Sequence, residues 1–473
     1  MAPDTPTTLP AQFEAQRAAF AQESFPALAA RLDRLDRLRR LLEENEDAIA
    51  QAISEDFGHR SRHETAIAET FIVLGAIAHA RRHLRRWMKK RRVGTSFHSL
   101  PGASWITPQP LGVVGIVSPW NYPLQLAIAP AVAALAAGNR VMIKPSELTP
   151  RFSALLARLI GQQFSADECL VVTGDAELGK AFVGLPFDHL FFTGSTAVGR
   201  QVALAAAANL TPVTLELGGK SPAIVDASCD MQDAARKIAA GKLFNAGQTC
   251  IAPDYALVPQ ARLQEFVDAY TQAAGQMYPA LEGNPDYTSI VNDRHYARLD
   301  ALAQEARAQG ARIVQLHPPE QAGRAANRKM APALLLDVTG RMAIMQEEIF
   351  GPLLPVLTYG SLDEAIRFVN ERPRPLALYW FGKDGGHRDR VLRETISGGV
   401  TLNDALLHVA QENLPFGGVG ASGIGAYHGA WGFRLFSKEK PVFAQSALAA
   451  TGLLRPPYGK LAATIIRILR RLV

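Results

Sequence analysis

The chain has 473 residues, of which 48% are hydrophobic and 20% charged, a globular composition that excludes a disordered or collagen-like protein. At about 150 residues per domain, this length predicts two or three domains. Three cysteines (Cys169, Cys229 and Cys250) are too few for a disulfide framework, and the N-terminus shows no secretion signal. We therefore expect a reducing, cytoplasmic environment.

The net charge of +6 is concentrated in two short segments. Residues 81–92 contain eight lysines and arginines, residues 455–473 contain five, and neither segment contains an acid. The rest of the chain has 37 basic and 44 acidic residues, a net charge of −7. This distribution argues against nucleic-acid binding, which requires a broad basic surface.

The N-terminal hundred residues have a helical pattern. Leucines recur at steps of three and four and predict one amphipathic helix, at Leu28, Leu32, Leu35, Leu38 and Leu42. Residues 81–92 are expected to continue in a helix whose basic side chains extend into solvent. The apolar run 122–137 is too short for the about 20 residues that span a bilayer, so it predicts a buried helix.

From Leu111 onward, short β-rich runs alternate with Ala-rich segments of helical length. The first runs are 113–117, 141–144, 170–173, 189–193 and 213–217, and a second group after Glu216 comprises 255–259, 333–338, 354–359 and 398–403. This alternation predicts an α/β fold with parallel sheets and ligands at the carboxyl ends of the strands. The Gly-rich segment from Asp404 to His428 is expected to be ordered but irregular.

Cys250, in FNAGQTC (244–250), is the candidate nucleophile. Its neighbours are polar or flexible, whereas a reactive thiol needs access and a means of favouring the thiolate. A buried structural thiol is the alternative.

Two further side chains are suited to acid–base and oxyanion chemistry. Glu216, in LELGGKSP (215–222), ends a predicted strand among apolar neighbours, which should raise its pKa toward that of a general base. An ion pair with Lys220 is the alternative. Asn121, in SPWNYP (118–123), also follows a strand, and its amide can stabilise an oxyanion. An ordinary turn asparagine is equally compatible with that sequence.

Two motifs after strands are candidates for cofactor binding. Lys144 and Glu147, in IKPSELTP (143–150), can hold hydroxyl groups, although the same segment can simply begin a helix. GSTAVG (194–199) lies between a strand and a helix expected from Gln201, where free N–H groups bind phosphate. No metal-ligand spacing and no GxSxG motif occurs, and a thiol hydrolase using Cys250 with His408 or His428 is the rival enzyme class.

Six motifs together resemble the aldehyde dehydrogenase superfamily from about residue 30 to 440. They are PWNYP, IKPSELTP, FFTGSTAVGR, LELGGKSP, FNAGQTC and EEIFGPLLPV, in the family's order and spacing. GQTCIAPDY (247–255) and residues 401–429 resemble the class-three branch, whose coniferyl aldehyde dehydrogenases are the most similar.

The resemblance implies a role for each matching residue. Cys250 matches the nucleophile, Glu216 the general base and Asn121 the oxyanion donor. The positions that match cofactor-binding residues are Trp120, Lys144, Glu147, Gly194, Ser195, Gly199, Glu348 and Phe350. Aromatic Tyr122 and Phe416 are expected to line the substrate site, and no metal is implied.

The resemblance also implies the reaction and the organisation of the chain. We expect NAD-preferring oxidation of an aromatic aldehyde, with NADP possible and a medium- or long-chain alkyl aldehyde as the alternative. An inactive structural homologue is a further alternative. The predicted parts are a Rossmann-type NAD-binding domain (1–92 and 113–216), a catalytic domain (217–403), bridging segments (93–112 and 404–440) and a basic tail (441–473). We expect a homodimer, and the helical pattern of 461–473 predicts weak contact of the tail with a membrane surface.

Overall fold

A computed structural model describes residues 8–317, 328–449, 452 and 455–472. Its α-helices are α1 (Leu9–Gln22), α2 (Leu28–Phe57), α3 (Arg62–Thr65), α4 (Phe71–Trp87), α5 (Gln125–Ala137), α6 (Pro150–Gln163), α7 (Ala176–Val183), α8 (Thr196–Ala207), α9 (Met231–Leu243), α10 (Leu263–Met277), α11 (Asp293–Ala308), α12 (Ala343–Gln346), α13 (Leu362–Asn370), α14 (Gly385–Glu394), α15 (Gly429–Leu435) and α16 (Lys460–Leu472). A π-helical turn at Ala66–Thr70 joins α3 to α4.

Sixteen strands form three sheets in the described residues. They are β1 (Arg91–Val93), β2 (Ala103–Pro110), β3 (Val113–Val117), β4 (Arg140–Lys144), β5 (Cys169–Val171), β6 (His189–Thr193), β7 (Val213–Glu216), β8 (Pro222–Val225), β9 (Tyr255–Pro259), β10 (Arg312–Gln315), β11 (Ala333–Leu336), β12 (Leu353–Tyr359), β13 (Ala377–Phe381), β14 (Gly399–Leu402), β15 (Gly423–Ile424) and β16 (Ser437–Ala444).

The first sheet has the order β15-β7-β6-β3-β4-β5 and is parallel except for β15. Its strands are almost fully buried because helices cover it, and α5 lies against it as an apolar helix. The chain runs from β3 outward to β5 and then returns to β6 on the other side of β3. This reversal creates a switch point, where ligands bind at the carboxyl ends of the strands.

The second sheet has the order β10-β11-β12-β9-β8-β13-β14 and is parallel except for β10. A smaller antiparallel sheet, β1-β2-β16, joins strands that lie more than 300 residues apart in the chain. The α/β fold with parallel sheets is confirmed. The predicted domain boundaries stay a prediction, although β15 pairs with the first sheet and β16 extends beyond residue 440.

Two helix limits differ from the sequence predictions. α4 ends at Trp87, and Arg91–Val93 forms a strand, so residues 81–92 are not one helix. α8 begins at Thr196 rather than Gln201, because Ser195 caps it through its side chain. The buried leucine face of α2 and the apolar helix within 122–137 are confirmed.

Candidate functional site

The turn before Cys250 has an unusual backbone. α9 ends at Leu243, and the next residues form a 3-10 turn in which Asn245, Ala246 and Gly247 have φ values of 53°, 51° and 76°. A Cβ atom on Gly247 would lie 2.3 Å from the carbonyl oxygen of Gly351. The turn therefore packs directly against the loop that follows Glu348.

Hydrogen bonds hold this turn from several elements. The Asn245 N–H donates to Oε1 of Glu64 at 3.0 Å, and the Asn245 side-chain amide donates to the carbonyl of Asn121 at 3.1 Å. Gln248 Nε2 donates to the carbonyl of Ser289 at 3.1 Å. These buried bonds fix the position from which Cys250 extends.

Three buried charged residues between positions 60 and 69 support Asn121, Asn245 and the start of α5. Arg60 and Glu69 form an ion pair of 3.0 Å with no exposed side-chain surface. Arg60 Nη1 donates to the Asn121 carbonyl at 2.8 Å, and Glu69 accepts the N–H of Leu124 at 2.6 Å. Burial raises the pKa of Glu64 to about 7, against hydrogen bonds that favour its charged form.

Sequence reasoning missed Arg60, Glu64 and Glu69. The available signal is weak: two glutamates interrupt the largely apolar stretch 64–77, and a carboxylate among apolar residues of a helix requires a buried partner. Their roles depend on contacts with residues about 50 to 180 positions later in the chain.

Cys250 is partly exposed and lines a cavity, with two carboxylates nearby. Burial raises the pKa of its thiol well above the usual value, and the charges of Glu348 and Glu216 raise it further. The backbone N–H groups of Cys250 and Ile251 act in the opposite direction. A neighbouring base is therefore needed to generate the thiolate near neutral pH.

Glu216 lies at the carboxyl end of β7 and is 2% exposed. Neither carboxylate oxygen has a hydrogen-bond partner within the described ranges, and burial raises its pKa well above the usual value. The alternative ion pair does not form, because Lys220 Nζ contacts Asp254 and the carbonyl of Glu347 instead. The carboxyl group is thus available for proton transfer.

Asn121 is buried at the carboxyl side of β3. Its Nδ2 atom donates to the Gln248 carbonyl at 3.1 Å, two residues before Cys250. The predicted nucleophile, base and amide donor therefore come together between the carboxyl edge of the first sheet and the loops that precede β9 and β12.

The predicted ribose-binding residues are adjacent. Lys144 Nζ donates to Glu147 Oε2 at 2.9 Å, with Lys144 buried and Glu147 half-exposed. Burial acts to raise the pKa of Glu147, but the bond from Lys144 holds it below the usual value. The helix-start alternative is compatible with this pairing, because α6 begins three residues after Glu147.

The GSTAVG turn connects β6 to α8. Gly194 donates its N–H to the Glu216 carbonyl at 3.0 Å, and Ser195 Oγ accepts the N–H of Val198 at 3.4 Å. A Cβ on Gly199 would lie 2.6 Å from the Leu217 side chain. This glycine lets the first turn of α8 lie close to the segment that follows Glu216.

Glu348 enters the site beside a glycine. A Cβ on Gly218 would lie 2.0 Å from Glu348 Oε2, and Glu348 Oε1 is buried with no partner in the described residues. Burial, followed by the charge of Asp254, raises the pKa of Glu348 to about 8. Phe350 has a φ of 53°, and its ring lies 5.4 Å from that of Trp120.

These observations fit a nicotinamide dinucleotide. The unpartnered Glu348 oxygen provides an acceptor for ribose hydroxyls, the start of α8 presents free N–H groups for a pyrophosphate, and Lys144 with Glu147 provides donor and acceptor groups. No group of three or more potential ligand side chains suited to a metal ion occurs in the described part of the chain.

Cys250 opens onto a largely apolar cavity of about 300 Å³. Tyr122 and Phe416 both line it, as the sequence predicted, and Tyr122 bonds Thr249 Oγ1 at 2.6 Å. The residues that line it include Ile67, Ile72, Tyr122, Gln125, Leu126, Lys237, Phe244, Thr249, Ile251, Asp404, Leu406, Val409, Phe416 and Tyr427.

The rival histidines do not form a dyad with Cys250. His408 Nδ1 bonds Thr401 Oγ1 at 2.8 Å, and both His408 and His428 stack on Phe416. Burial lowers the pKa of each histidine to about 4. Neither ring forms a hydrogen bond with Cys250 in the part of the chain that is described.

The comparison with protein families decides the identity of this arrangement. Residues 4–442 match the aldehyde dehydrogenase family. The chain belongs to the aldehyde dehydrogenase family. It is therefore an enzyme of the class that oxidises aldehydes to carboxylic acids.

Similar proteins place the chain more closely within this aldehyde dehydrogenase family. It is 51% identical over 452 residues to a probable coniferyl aldehyde dehydrogenase of Pseudomonas aeruginosa, covering 96% of this chain and 94% of that protein. It is 42% identical to aldehyde dehydrogenase family 3 member A2 of Pongo abelii, covering 91% of this chain and 87% of that protein. The predicted likeness to the class-three branch is confirmed.

Solved aldehyde dehydrogenase structures show the same fold. The substrate-bound state of Staphylococcus aureus AldH is 40% identical, with a TM-score of 0.92 over 98% of this chain and 100% of that one. A Mycobacterium tuberculosis aldehyde dehydrogenase complexed with NAD+ is 28% identical, with a TM-score of 0.83 over 93% and 90% of the two chains. Within the described ranges, no helix is both long enough and apolar enough to cross a membrane.

Proposed function

We propose that this enzyme uses NAD to oxidise coniferyl aldehyde to ferulate, with Cys250 as the nucleophile. The observation that carries the proposal is the position of Cys250, which lines a largely apolar cavity with Glu216 and Glu348 nearby. The similarity to the probable coniferyl aldehyde dehydrogenase of Pseudomonas aeruginosa supports the choice of substrate.

The first chemical step forms a bond between Cys250 and the substrate. The thiolate attacks the aldehyde carbon, and the carbonyl oxygen of the resulting thiohemiacetal becomes negatively charged. The Asn121 amide and the Cys250 backbone N–H stabilise that charge, each such donor contributing about 3 kcal/mol. The bonds from Arg60 and Asn245 to the Asn121 carbonyl keep its segment in place.

Bound NAD accepts the hydride when the thiohemiacetal is oxidised to a thioester. Glu216 then removes a proton from water, which attacks the thioester, releases the carboxylic acid and regenerates the Cys250 thiolate. Because burial raises its pKa, the Glu216 carboxyl group can hold that proton near neutral pH. In this proposal the cofactor is held by Trp120, Lys144, Glu147, Gly194, Ser195, Gly199, Glu348 and Phe350.

The proposed preference for NAD over NADP rests on Glu147. In this proposal its carboxylate accepts hydrogen bonds from the adenosine ribose, and Lys144 donates to one of its oxygens. A 2′-phosphate would be placed beside this negative charge. Steady-state assays should give a clearly higher kcat/KM with NAD, and equal values would contradict the preference.

The alternative substrate is a medium- or long-chain alkyl aldehyde, because a largely apolar cavity accepts both classes. The discriminating experiment measures kcat/KM for coniferyl aldehyde, cinnamaldehyde, benzaldehyde and C6–C16 alkyl aldehydes. The proposed function requires the highest value for coniferyl aldehyde. A maximum in the alkyl series would replace it with the alternative.

Cys250→Ala tests the proposed nucleophile. The variant should lose aldehyde-dependent NADH formation but retain NAD binding, measured by titration of intrinsic fluorescence. Full turnover in this variant would refute the assignment of Cys250.

A homodimer and a weak contact of residues 455–473 with anionic membranes are also proposed. The membrane contact is supported by α16, since basic residues share this helix with the exposed Leu461, Ile466 and Ile468. Light scattering measures the assembly, and a mass of one chain would refute the dimer. Truncation after Pro457 should reduce sedimentation with anionic vesicles, and unchanged binding would refute the role of the tail.

A further inference from the structure

The cavity that contains Cys250 is lined by a glutamine whose side-chain amide is not bonded within the described part of the protein. Gln125 begins α5, is 6% exposed and lines the cavity that contains Cys250. Its side-chain amide forms no hydrogen bond with any residue that the structure describes. Its backbone N–H donates to Glu69 Oε2 at 3.1 Å, so the residue itself is held in place.

The hydroxyl of Tyr427, which also lines the cavity, is buried and has no hydrogen-bond partner in the described residues, whereas Thr249, Lys237 and Asp404 are engaged within the protein. The Thr249 hydroxyl bonds Tyr122, and Lys237 Nζ bonds Asp233 at 2.6 Å as well as the carbonyl of Asn403 at 2.9 Å. Asp404 Oδ1 accepts the N–H of Ala405 at 2.8 Å. The apolar residues that line the same cavity include Leu126, Ile67, Ile72 and Phe416, which cannot satisfy an amide.

We infer that Gln125 determines specificity by hydrogen bonding to the ring oxygens of a hydroxylated or methoxylated aryl aldehyde. This inference deepens the proposed function and rests on it. A glutamine amide provides both an acceptor and two donors, so it can pair with a phenolic hydroxyl and with an ether oxygen.

The inference follows from the cost of an unsatisfied buried amide. An alkyl chain or an unsubstituted ring that fills the cavity displaces water and leaves the Gln125 amide without a partner. A ring with oxygen substituents restores that partner. Sites built to bond a substrate hydroxyl discriminate strongly against analogues that lack it.

The experiment compares coniferyl aldehyde with cinnamaldehyde, which has the same skeleton without ring oxygens. In the wild-type enzyme kcat/KM for coniferyl aldehyde should be about tenfold higher or more. Gln125→Met keeps the length of the side chain and removes its hydrogen bonding. It should lower the value for coniferyl aldehyde about tenfold and change that for cinnamaldehyde by less than about threefold.

Two further variants separate specificity from damage to the fold. Gln125→Leu should repeat the pattern, because the bond to Glu69 uses the backbone. Leu126→Met alters the neighbouring apolar wall and should change both substrates alike, leaving their ratio unaltered. Retained turnover of cinnamaldehyde shows that each variant folds, while an equal loss on both substrates in both Gln125 variants overturns the inference.

The remaining outcomes are also decisive. If the wild-type enzyme acts well on coniferyl aldehyde but Gln125→Met leaves the ratio unchanged, the inference fails and the proposed function survives. If the wild-type enzyme acts poorly on both aryl aldehydes and well on alkyl aldehydes, the proposed function fails and the inference fails with it.

Discussion

Glu348 occupies a space that only a glycine at position 218 leaves open. A methyl group there would lie 2.0 Å from a carboxylate oxygen, so the two side chains cannot coexist without movement. Gly218 does not require a positive φ, and its importance is therefore steric rather than conformational. Gly218, the first glycine of the LELGGKSP motif, thus determines where Glu348 is held.

Gly218→Ala should displace Glu348 and weaken its contact with the cofactor. We expect kcat/KM for NAD to fall about tenfold or more, because a displacement of about 1 Å near reacting groups costs up to a hundredfold in rate. Titration with NAD and steady-state kinetics measure the effect. Gly75→Ala is the control, since α4 leaves its Cβ free of contacts, and unchanged kinetics in Gly218→Ala would contradict this role.

At the residue scale, sequence motifs predicted the main groups of the candidate site. Cys250, Glu216 and Asn121 occur in motifs of fixed spacing and come together in the structure. The residues behind them, Arg60, Glu64 and Glu69, were missed because their local sequence signal is weak. Their roles arise only when the N-terminal helices pack beside the cysteine turn.

The turn before Cys250 is the element on which the site most depends. Asn245 and Ala246 have left-handed backbones that non-glycine residues adopt at a cost of about 1 kcal/mol each. The bonds from Asn245 to Glu64 and Asn121 offset this cost. Gly247 extends the left-handed run at the point of closest approach to Gly351.

Gly247→Ala should lower kcat at least about a hundredfold, because the added methyl forces the cysteine turn away from the Gly351 carbonyl. Pre-steady-state NADH formation measures this loss directly. Gly310→Ala is the matched control: its φ is +100° with open space around the Cβ, so it should lose stability and keep its kcat. Equal kcat in both variants would show that the close approach has no catalytic consequence.

Among the elements, apolar β-rich runs predicted the strands whose faces are both buried, including β3, β4, β6 and β9. β8 and β13 were not predicted, although both are internal strands of the second sheet. The three-stranded sheet was also missed, since β16 carries charged residues and is largely exposed. Its partner β2 lies more than 300 residues earlier in the chain, and no local sequence pattern predicts such a pairing.

The whole molecule contains buried carboxyl groups whose pKa values are raised by burial. Glu64 has a pKa of about 7, compared with an ordinary value of 4.5. Folding therefore favours its protonated form. The resulting stabilisation is complete below pH 4.5 and is lost as the pH rises through about 7, a change of roughly 3 kcal/mol.

Glu64→Gln should remove this dependence while keeping an acceptor for the Asn245 N–H. Relative to the wild-type enzyme, the variant should gain stability as the pH rises from 5 to 8, with a relative increase in Tm of roughly 3 °C. Thermal unfolding followed by circular dichroism measures Tm. Glu14→Gln, at an exposed position, should show no such trend, and parallel curves for Glu64→Gln and wild type would refute the prediction.

Glu216 ends a strand whose outer neighbour is β15, through the pairing of Glu216 with Gly423. About 200 residues separate the two positions, so a ribosome that adds ~5–20 residues per second needs about 10–40 s to supply the missing strand. Until then, the nascent chain presents an open sheet edge on which other strands can pair. The outer edge of β7 therefore stays unpaired until residues 423 and 424 have been synthesised, and the proposed base reaches its final surroundings only after that point.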